Sequence, residues 1–146
     1  MLKLVRVTKT LGGQQVLRGV DLAVPEGKLT TIIGRSGEGK SVLLKHMIGL
    51  LQPDSGEVWV DDVEISRLRG HALNEVRKRF AMLFHGAALF DSLTVFENVA
   101  FPLREKLRLK GPEVTNRVEE KLDQVGLTGM GHKFPAELSG GMRKRA

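Results

Sequence analysis

Apolar positions fall into short blocks in the first part of the chain and into helical spacings in the second. Leu2, Leu4 and Val7 open a strand that the pattern ends near Thr8, and the glycine pair in Leu11-Gly12-Gly13-Gln14-Gln15 marks a turn. Val16, Leu17, Val20, Leu22 and Val24 alternate in part, which predicts a strand with one buried face. After the turn Pro25-Glu26-Gly27, the β-branched run Lys28 to Ile33 predicts a short buried strand. A glycine-rich loop follows from Gly34 to Gly39, and Lys40 to Leu51 then reads as a largely buried helix, apolar on most of its circumference. Pro53-Asp54-Ser55-Gly56 stops that helix and turns the chain into a strand over Glu57 to Val60.

Beyond this point the pattern predicts a short polar helix from about Arg69 to Arg79 and a buried strand at Phe80 to Phe84. Two helical stretches follow, Val95 to Leu109 and Glu113 to Val125. In the second, Val114, Val118, Leu122 and Val125 form one apolar face. Strands and helices in this order predict an α/β domain with a core sheet, flanking helices, antiparallel strands near the N-terminus and a helical subdomain over about 85–146.

Composition changes this picture little. The chain has 146 residues, 41% hydrophobic and 27% charged, within the ordinary range for a globular domain. Its lack of cysteine excludes disulfides and thiolate metal sites. The start, MLKLVRVTKT, has no secretory pattern, and the apolar run Val42 to Leu51, broken by Lys45 and His46, is too short to span a bilayer. Twenty-three Lys and Arg against seventeen Asp and Glu give a formal charge of +6, but the basic residues are spread out. Such a surface does not require nucleic acid as a partner.

The candidate chemistry lies in Gly34-Arg35-Ser36-Gly37-Glu38-Gly39-Lys40-Ser41, an uninterrupted G-x-x-x-x-G-K-[ST] phosphate loop. Glycines let the backbone turn tightly and bring successive N–H groups toward an anion. The following helix adds free N–H groups and its positive dipole end. Lys40 supplies a charge for the β- and γ-phosphates, and the Ser41 hydroxyl is the candidate Mg²⁺ ligand. An apolar run before the loop and an apolar helix after it are the setting this mechanism needs. ATP and Mg²⁺ are therefore the expected cofactors.

A second motif, Leu138-Ser139-Gly140-Gly141-Met142, together with the phosphate loop resembles the ATP-binding-cassette (ABC) ATPase family and its LSGGQ signature. Val16-Leu17-Arg18-Gly19-Val20-Asp21-Leu22 and Pro53-Asp54-Ser55-Gly56 resemble two further family segments, so the likeness runs along the whole chain. The segment from Phe84 to Glu105 is similar to the bacterial phospholipid-trafficking, toluene-tolerance-type ATPases that maintain outer-membrane lipid asymmetry. The resemblance implies the P-loop NTPase fold and ATP hydrolysis coupled to transport, with phospholipid as the cargo that the subfamily implies. It implies that Ser139, Gly140 and Gly141 contact the nucleotide of a second ATPase subunit in a head-to-tail dimer. The implied partners are an integral membrane permease, facing the loop His85 to Ser92, and a periplasmic lipid-binding protein. The implied location is the cytoplasmic side of a bacterial inner membrane. A GTPase would carry an N-K-x-D base-reading motif, which the sequence lacks. An ABC protein acting on nucleic acid is the alternative that the basic charge keeps open, and a non-catalytic nucleotide-binding fragment is another.

The sequence departs from the family pattern in three places. His85 stands where the family has the Q-loop glutamine that reaches Mg²⁺ and the attacking water, which makes it a candidate catalytic and metal-contacting residue. Leu11 stands where many members have an adenine-stacking aromatic, leaving Leu11 and Val16 as the apolar contacts to the base. The sequence ends at Ala146, just after LSGGM, so the strand ending in Asp-Glu and the histidine switch of the family lie outside it. On that basis these 146 residues alone are expected to hydrolyse ATP poorly. Glu97, Glu119 and Glu120 read as solvated helix surface rather than as a replacement base. Imidazole is bulkier than the glutamine amide, aimed differently, and titrates near pH 6.5 when free, about half a unit from neutrality. In the full-length subunit, His85→Gln should therefore raise turnover and flatten its pH profile between pH 6 and 8; identical rates would remove the role assigned to His85.

Overall fold

The computed structural model describes residues 1–84 and 88–146; His85 lies outside the described residues. The chain divides into two compact units, Met1–Ala81 and Met82–Ala146.

The first unit is built on a four-stranded antiparallel sheet. Its strands are β1 (Leu2–Leu11), β2 (Gln14–Val24), β3 (Ser55–Val60) and β4 (Val63–Glu64), in the order β2-β1-β3-β4. Helices α1 (Lys40–Met47) and α2 (Gly70–Arg77) complete it. β1 pairs with β2 across the Gly12-Gly13 turn, Leu11 opposite Gln14, and with β3 on its other side, Leu4 opposite Val58. It runs three residues past the expected end at Thr8, because Lys9, Thr10 and Leu11 still find partners in β2, opposite Leu17, Gln15 and Gln14.

The apolar residues of β1 do not alternate strictly, and a bulge explains why. Leu4 and Val7, three positions apart, are both buried in the same core. Between them the pairing shifts against both neighbours, and Arg6 takes a left-handed conformation with φ of 47°. One extra residue turns Val7 back onto the face of Leu4. The Arg6 N–H, freed from the ladder, donates to Asp21 Oδ1 at 2.9 Å.

The turn before β3 is tied to β1 by side chains. Asp54 accepts from Lys9 Nζ and from the Thr10 N–H, each at 2.7 Å, and its own N–H donates to the Thr8 carbonyl at 3.0 Å. The Lys9 ammonium, and then the Thr10 N–H, hold the Asp54 carboxyl below its usual pKa.

Helix α1 buries Leu43, His46 and Met47 against Leu4, Val7, Leu17 and Val58. It ends at Met47, short of the expected Leu51. Gly49, at φ of 69°, terminates it: its N–H donates to the His46 carbonyl at 3.0 Å and the Leu50 N–H to the Lys45 carbonyl at 2.8 Å. That pair of bonds is a Schellman ending. Leu44 remains 43% exposed, so the helix is buried on one side rather than all round.

Two expected strands are not formed. Lys28 to Ile33 and Phe80 to Phe84 have no ladder partner among the described residues, and Leu29, Ile33 and Leu83 are 96%, 90% and 68% exposed. A strand's backbone is satisfied only by neighbouring strands. Hydropathy registers that such a segment favours burial but does not supply the neighbour that buries it.

The second unit is helical, with α3 (Val95–Glu105), α4 (Pro112–Gln124), a 3₁₀ turn at Pro135–Glu137 and α5 (Gly140–Arg145). Val114, Val118 and Leu122 of α4 are buried with Val95, Ala100, Leu127 and Leu138. Glu97 is not idle surface: Thr94 Oγ1 accepts from the Glu97 N–H at 3.2 Å while Glu97 Oε2 accepts from the Thr94 N–H at 2.8 Å. This capping box closes the start of α3. Bonding from the Thr94 N–H, and next from its hydroxyl, lowers the Glu97 pKa. Its contribution is full above the ordinary Glu value, about 4.3, and fades as pH falls through the lowered folded-state value.

Gly56 sits under the β1 bulge with φ of 89°, where a Cβ would lie 2.4 Å from the Arg6 carbonyl oxygen. Backbone cannot swing aside as a side-chain tip can. Gly56→Ala should destabilise the protein by about 2 kcal/mol or more, read as a lower urea midpoint; an unchanged midpoint would show that the bulge yields freely.

Candidate nucleotide-binding site

Residues 34–41 lie between the unpaired Lys28 to Ile33 run and the first turn of α1. Gly37 and Gly39 both have φ of 87°, which is ready for glycine and strained for other residues. Gly39 caps α1 without a side-chain bond, its carbonyl accepting from the Leu43 N–H at 2.8 Å. No acidic residue occupies the first turn of α1. The free N–H groups and positive dipole end of the helix thus face the loop without a carboxylate from its first turn to offset them.

Lys40 reaches back across the loop, its Nζ donating to the carbonyls of Gly34 at 2.7 Å and Arg35 at 2.5 Å. The ammonium is held over the loop's opening residues instead of trailing into solvent. Glu38 turns inward as well: its Oε2 accepts from the Arg35 N–H at 2.7 Å. Ser41 is exposed, and so are Arg35 and Ser36.

Val16 of β2 packs against the loop. A Cβ on Gly39 would come within 2.7 Å of Val16 Cγ1 and 3.3 Å of the Val16 carbonyl. A cavity of about 380 Å³ opens beside this contact, lined by Gln14, Gln15, Val16, Arg18, Gly37 and Glu38. Val16, Gly37 and Glu38 of the expected set are therefore brought together. Leu11 lies outside that lining, 39% exposed at the end of β1. Gln14, Gln15 and Arg18 are wall residues that sequence reading missed; their place follows from β2 leading into Val16, a pairing detail that no motif marks. A larger cavity, about 710 Å³, belongs to the helical unit, where Glu119, Glu120 and Asp123 contribute to its lining. Three carboxylates oppose a polyphosphate, so the smaller cavity is the better match.

In the helical unit, Ser139 caps α5, its Oγ accepting from the Met142 N–H at 3.2 Å. Gly140 and Gly141 have ordinary φ values, and a Cβ at either would meet nothing within 4 Å. Neither backbone conformation nor packing inside the described chain requires glycine at these two positions.

Comparison with known proteins is decisive at this point. The family model described as ABC transporter matches residues 17–146. This chain belongs to the ABC transporter family. Among its ABC relatives, the probable ribonucleotide transport ATP-binding protein mkl of Mycobacterium leprae is 45% identical over 96% of this chain and 40% of the relative. The intermembrane phospholipid transport system ATP-binding protein MlaF of Escherichia coli K12 is 44% identical over 96% of this chain and 52% of the relative. A solved dimeric, post-hydrolysis ABC cassette, MJ0796 bound to ADP and Pi, superposes with a TM-score of 0.85 at 34% identity, covering 99% of this chain and 66% of the other. The fold is that of an ABC cassette, α/β, and the chain spans about half the length of the curated ABC relatives it matches. No helix of the described residues is long and apolar enough to cross a membrane.

Gly39→Ala tests the loop's seat on the sheet. It combines an unfavourable φ with a clash against Val16. Nucleotide affinity should fall at least about tenfold, while Gly37→Ala, which has the same φ but open space, should lose less. Equal losses, measured by fluorescent-nucleotide titration, would show that conformation alone matters.

Proposed function

We propose that this chain binds Mg-ATP through Gly34 to Ser41 as part of an ABC ATP-binding subunit, and that hydrolysis in the whole subunit drives transport through a membrane permease. The observation that carries the reading is the phosphate loop opening α1 with Lys40 held over it, in a chain of this family. Lys40 binds the β- and γ-phosphates; the N–H groups of Gly37 and of Gly39 to Ser41 donate to the phosphate oxygens. Mg²⁺ takes few protein ligands and relies on phosphate oxygens and water. The exposed Ser41 hydroxyl is a hard oxygen donor of the right kind and fits it. Bound there, the ion neutralises charge on the phosphates.

Val16 packs against the nucleoside, and Leu11 offers a weaker apolar contact at the strand end. Ser139, Gly140 and Gly141 close over the nucleotide of a second subunit. What supports this is that, among the described residues, neither packing nor backbone conformation requires glycine at 140 and 141, while the absence of a Cβ permits close approach from outside. A dimeric neighbour of the same fold is consistent with that arrangement.

The permease partner docks near the segment that follows Leu83. Leu83, Phe84, Phe90 and Phe101 are exposed there, and the Phe90 and Phe101 rings meet at a tilt of 56° with centroids 5.2 Å apart. Asn98 holds the Phe90 to Thr94 turn by accepting from the Phe90 N–H at 2.8 Å and donating to the carbonyls of Phe90, Leu93 and Thr94. An apolar surface on a fixed turn suits a membrane-protein loop. The relatives' names give two cargo classes, phospholipid and ribonucleotide, and the likeness of Phe84 to Glu105 to the phospholipid-trafficking ATPases is what supports phospholipid here. A periplasmic lipid-binding protein and the cytoplasmic face of the inner membrane complete the phospholipid reading.

A second reading concerns catalysis by these residues alone. The cavity beside the loop holds one carboxylate, Glu38, already bonded to the Arg35 N–H, and no free acid to activate water. Binding without turnover is therefore the activity of this length of chain. By calorimetric titration, Lys40→Ala should weaken Mg-ATP binding about tenfold to a hundredfold, the loss expected for a charge-assisted contact; unchanged affinity overturns the site. Wild-type chain should bind Mg-ATP and release no phosphate, and steady release would assign catalysis to these residues.

A further inference from the structure

The anion-binding loop contains an anion of its own. Glu38 occupies the variable position between Gly37 and Gly39, and its Oε2 is bonded to the Arg35 N–H at 2.7 Å. The same oxygen lies so close to Gly34 that a Cβ there would approach it to 2.6 Å. Lys40 Nζ bonds the Gly34 and Arg35 carbonyls, so the two charged side chains hold the same pair of residues. Glu38 also lines the 380 Å³ cavity with Gly37 and Val16, where the nucleotide is placed above.

From this geometry we infer that the Glu38 side chain is a positioning residue with two opposed effects on the site: it folds the start of the phosphate loop through the Arg35 N–H, and its charge lowers the loop's affinity for polyphosphate. The inference rests on the reading of residues 34–41 as the nucleotide site and concerns how that site is tuned. The Glu38 N–H donates to the Arg35 carbonyl at 3.4 Å, reinforcing the turn, while the Glu38 carboxylate repels the phosphates. The repulsion depends on ligand charge, so it weakens binding of ATP and leaves adenosine untouched. It is exposed to solvent and therefore screened by salt. Gly34 gains a second reason to be glycine, since it leaves room for the carboxylate as well as for the turn.

Glu38→Gln separates the two effects, because the amide oxygen can still accept from Arg35 while the charge is gone. At about 0.1 M salt, where the Debye length is about 10 Å, Glu38→Gln should bind Mg-ATP about three- to tenfold more tightly than wild type. The gain should shrink at about 1 M salt and be absent for adenosine. Glu38→Ala, which also frees the Arg35 N–H, should gain less than Glu38→Gln. A Gln variant that binds Mg-ATP no better than wild type at low salt overturns the inference, as does a gain equally present for adenosine. Lys40→Ala belongs in the same titration: if it loses binding while Glu38→Gln matches wild type, only the role of Glu38 has failed. If Lys40→Ala binds as wild type does, the nucleotide site itself has failed.

Discussion

The contact between Gly39 and Val16 joins the sheet to the glycine-rich loop that opens α1. Without a Cβ, Gly39 lets the loop close onto β2 to the limit of van der Waals contact, in a backbone conformation that other residues strain to adopt. On one side of this contact stands β2, paired along its length with β1. On the other stands α1, which buries Leu43 and Met47 in the same core as Leu17, the neighbour of Val16. The loop is thus anchored at its C-terminal end by packing, and the first N–H groups of α1 have no side-chain cap.

Charge then works on this frame from inside the loop. Lys40 and Glu38 both bond the Gly34-Arg35 pair, one through carbonyls and the other through an N–H. A loop whose own side chains satisfy its first residues keeps its shape at a small electrostatic cost to the ligand. The same economy governs the other unit, where side-chain caps at Thr94 and Ser139 satisfy N–H groups at two helix starts. At Thr94 the cap is reciprocal and closes the helix; at Ser139 the glycines that follow remain open to approach.

Helix ends and turns were legible wherever one residue type has one physical use. The glycine-rich loop before α1, the Gly12-Gly13 turn and the apolar face of α4 could all be read from residues alone. The Thr94-x-x-Glu97 pattern was equally legible as a capping box, and reading Glu97 as solvated surface overlooked it. Gly49 likewise carried the signal for an early helix stop. Both misses came from weighing hydropathy above the hydrogen-bonding needs of backbone termini.

The sequence by itself determined the local chemistry: a glycine-rich loop opening a helix, a lysine and a serine at its end, and a second glycine pair far along the chain. These depend on residues adjacent in the chain, so adjacency in sequence suffices. Only the tertiary structure decided which apolar runs became strands. β1 gained a bulge and partners on both sides, whereas Lys28 to Ile33 stayed unpaired and exposed. Tertiary structure alone also set Gln14, Gln15 and Arg18 beside the loop and turned Glu38 onto the Arg35 N–H. Strand pairing and side-chain direction depend on what lies across space, and hydropathy along a chain carries no record of the neighbour.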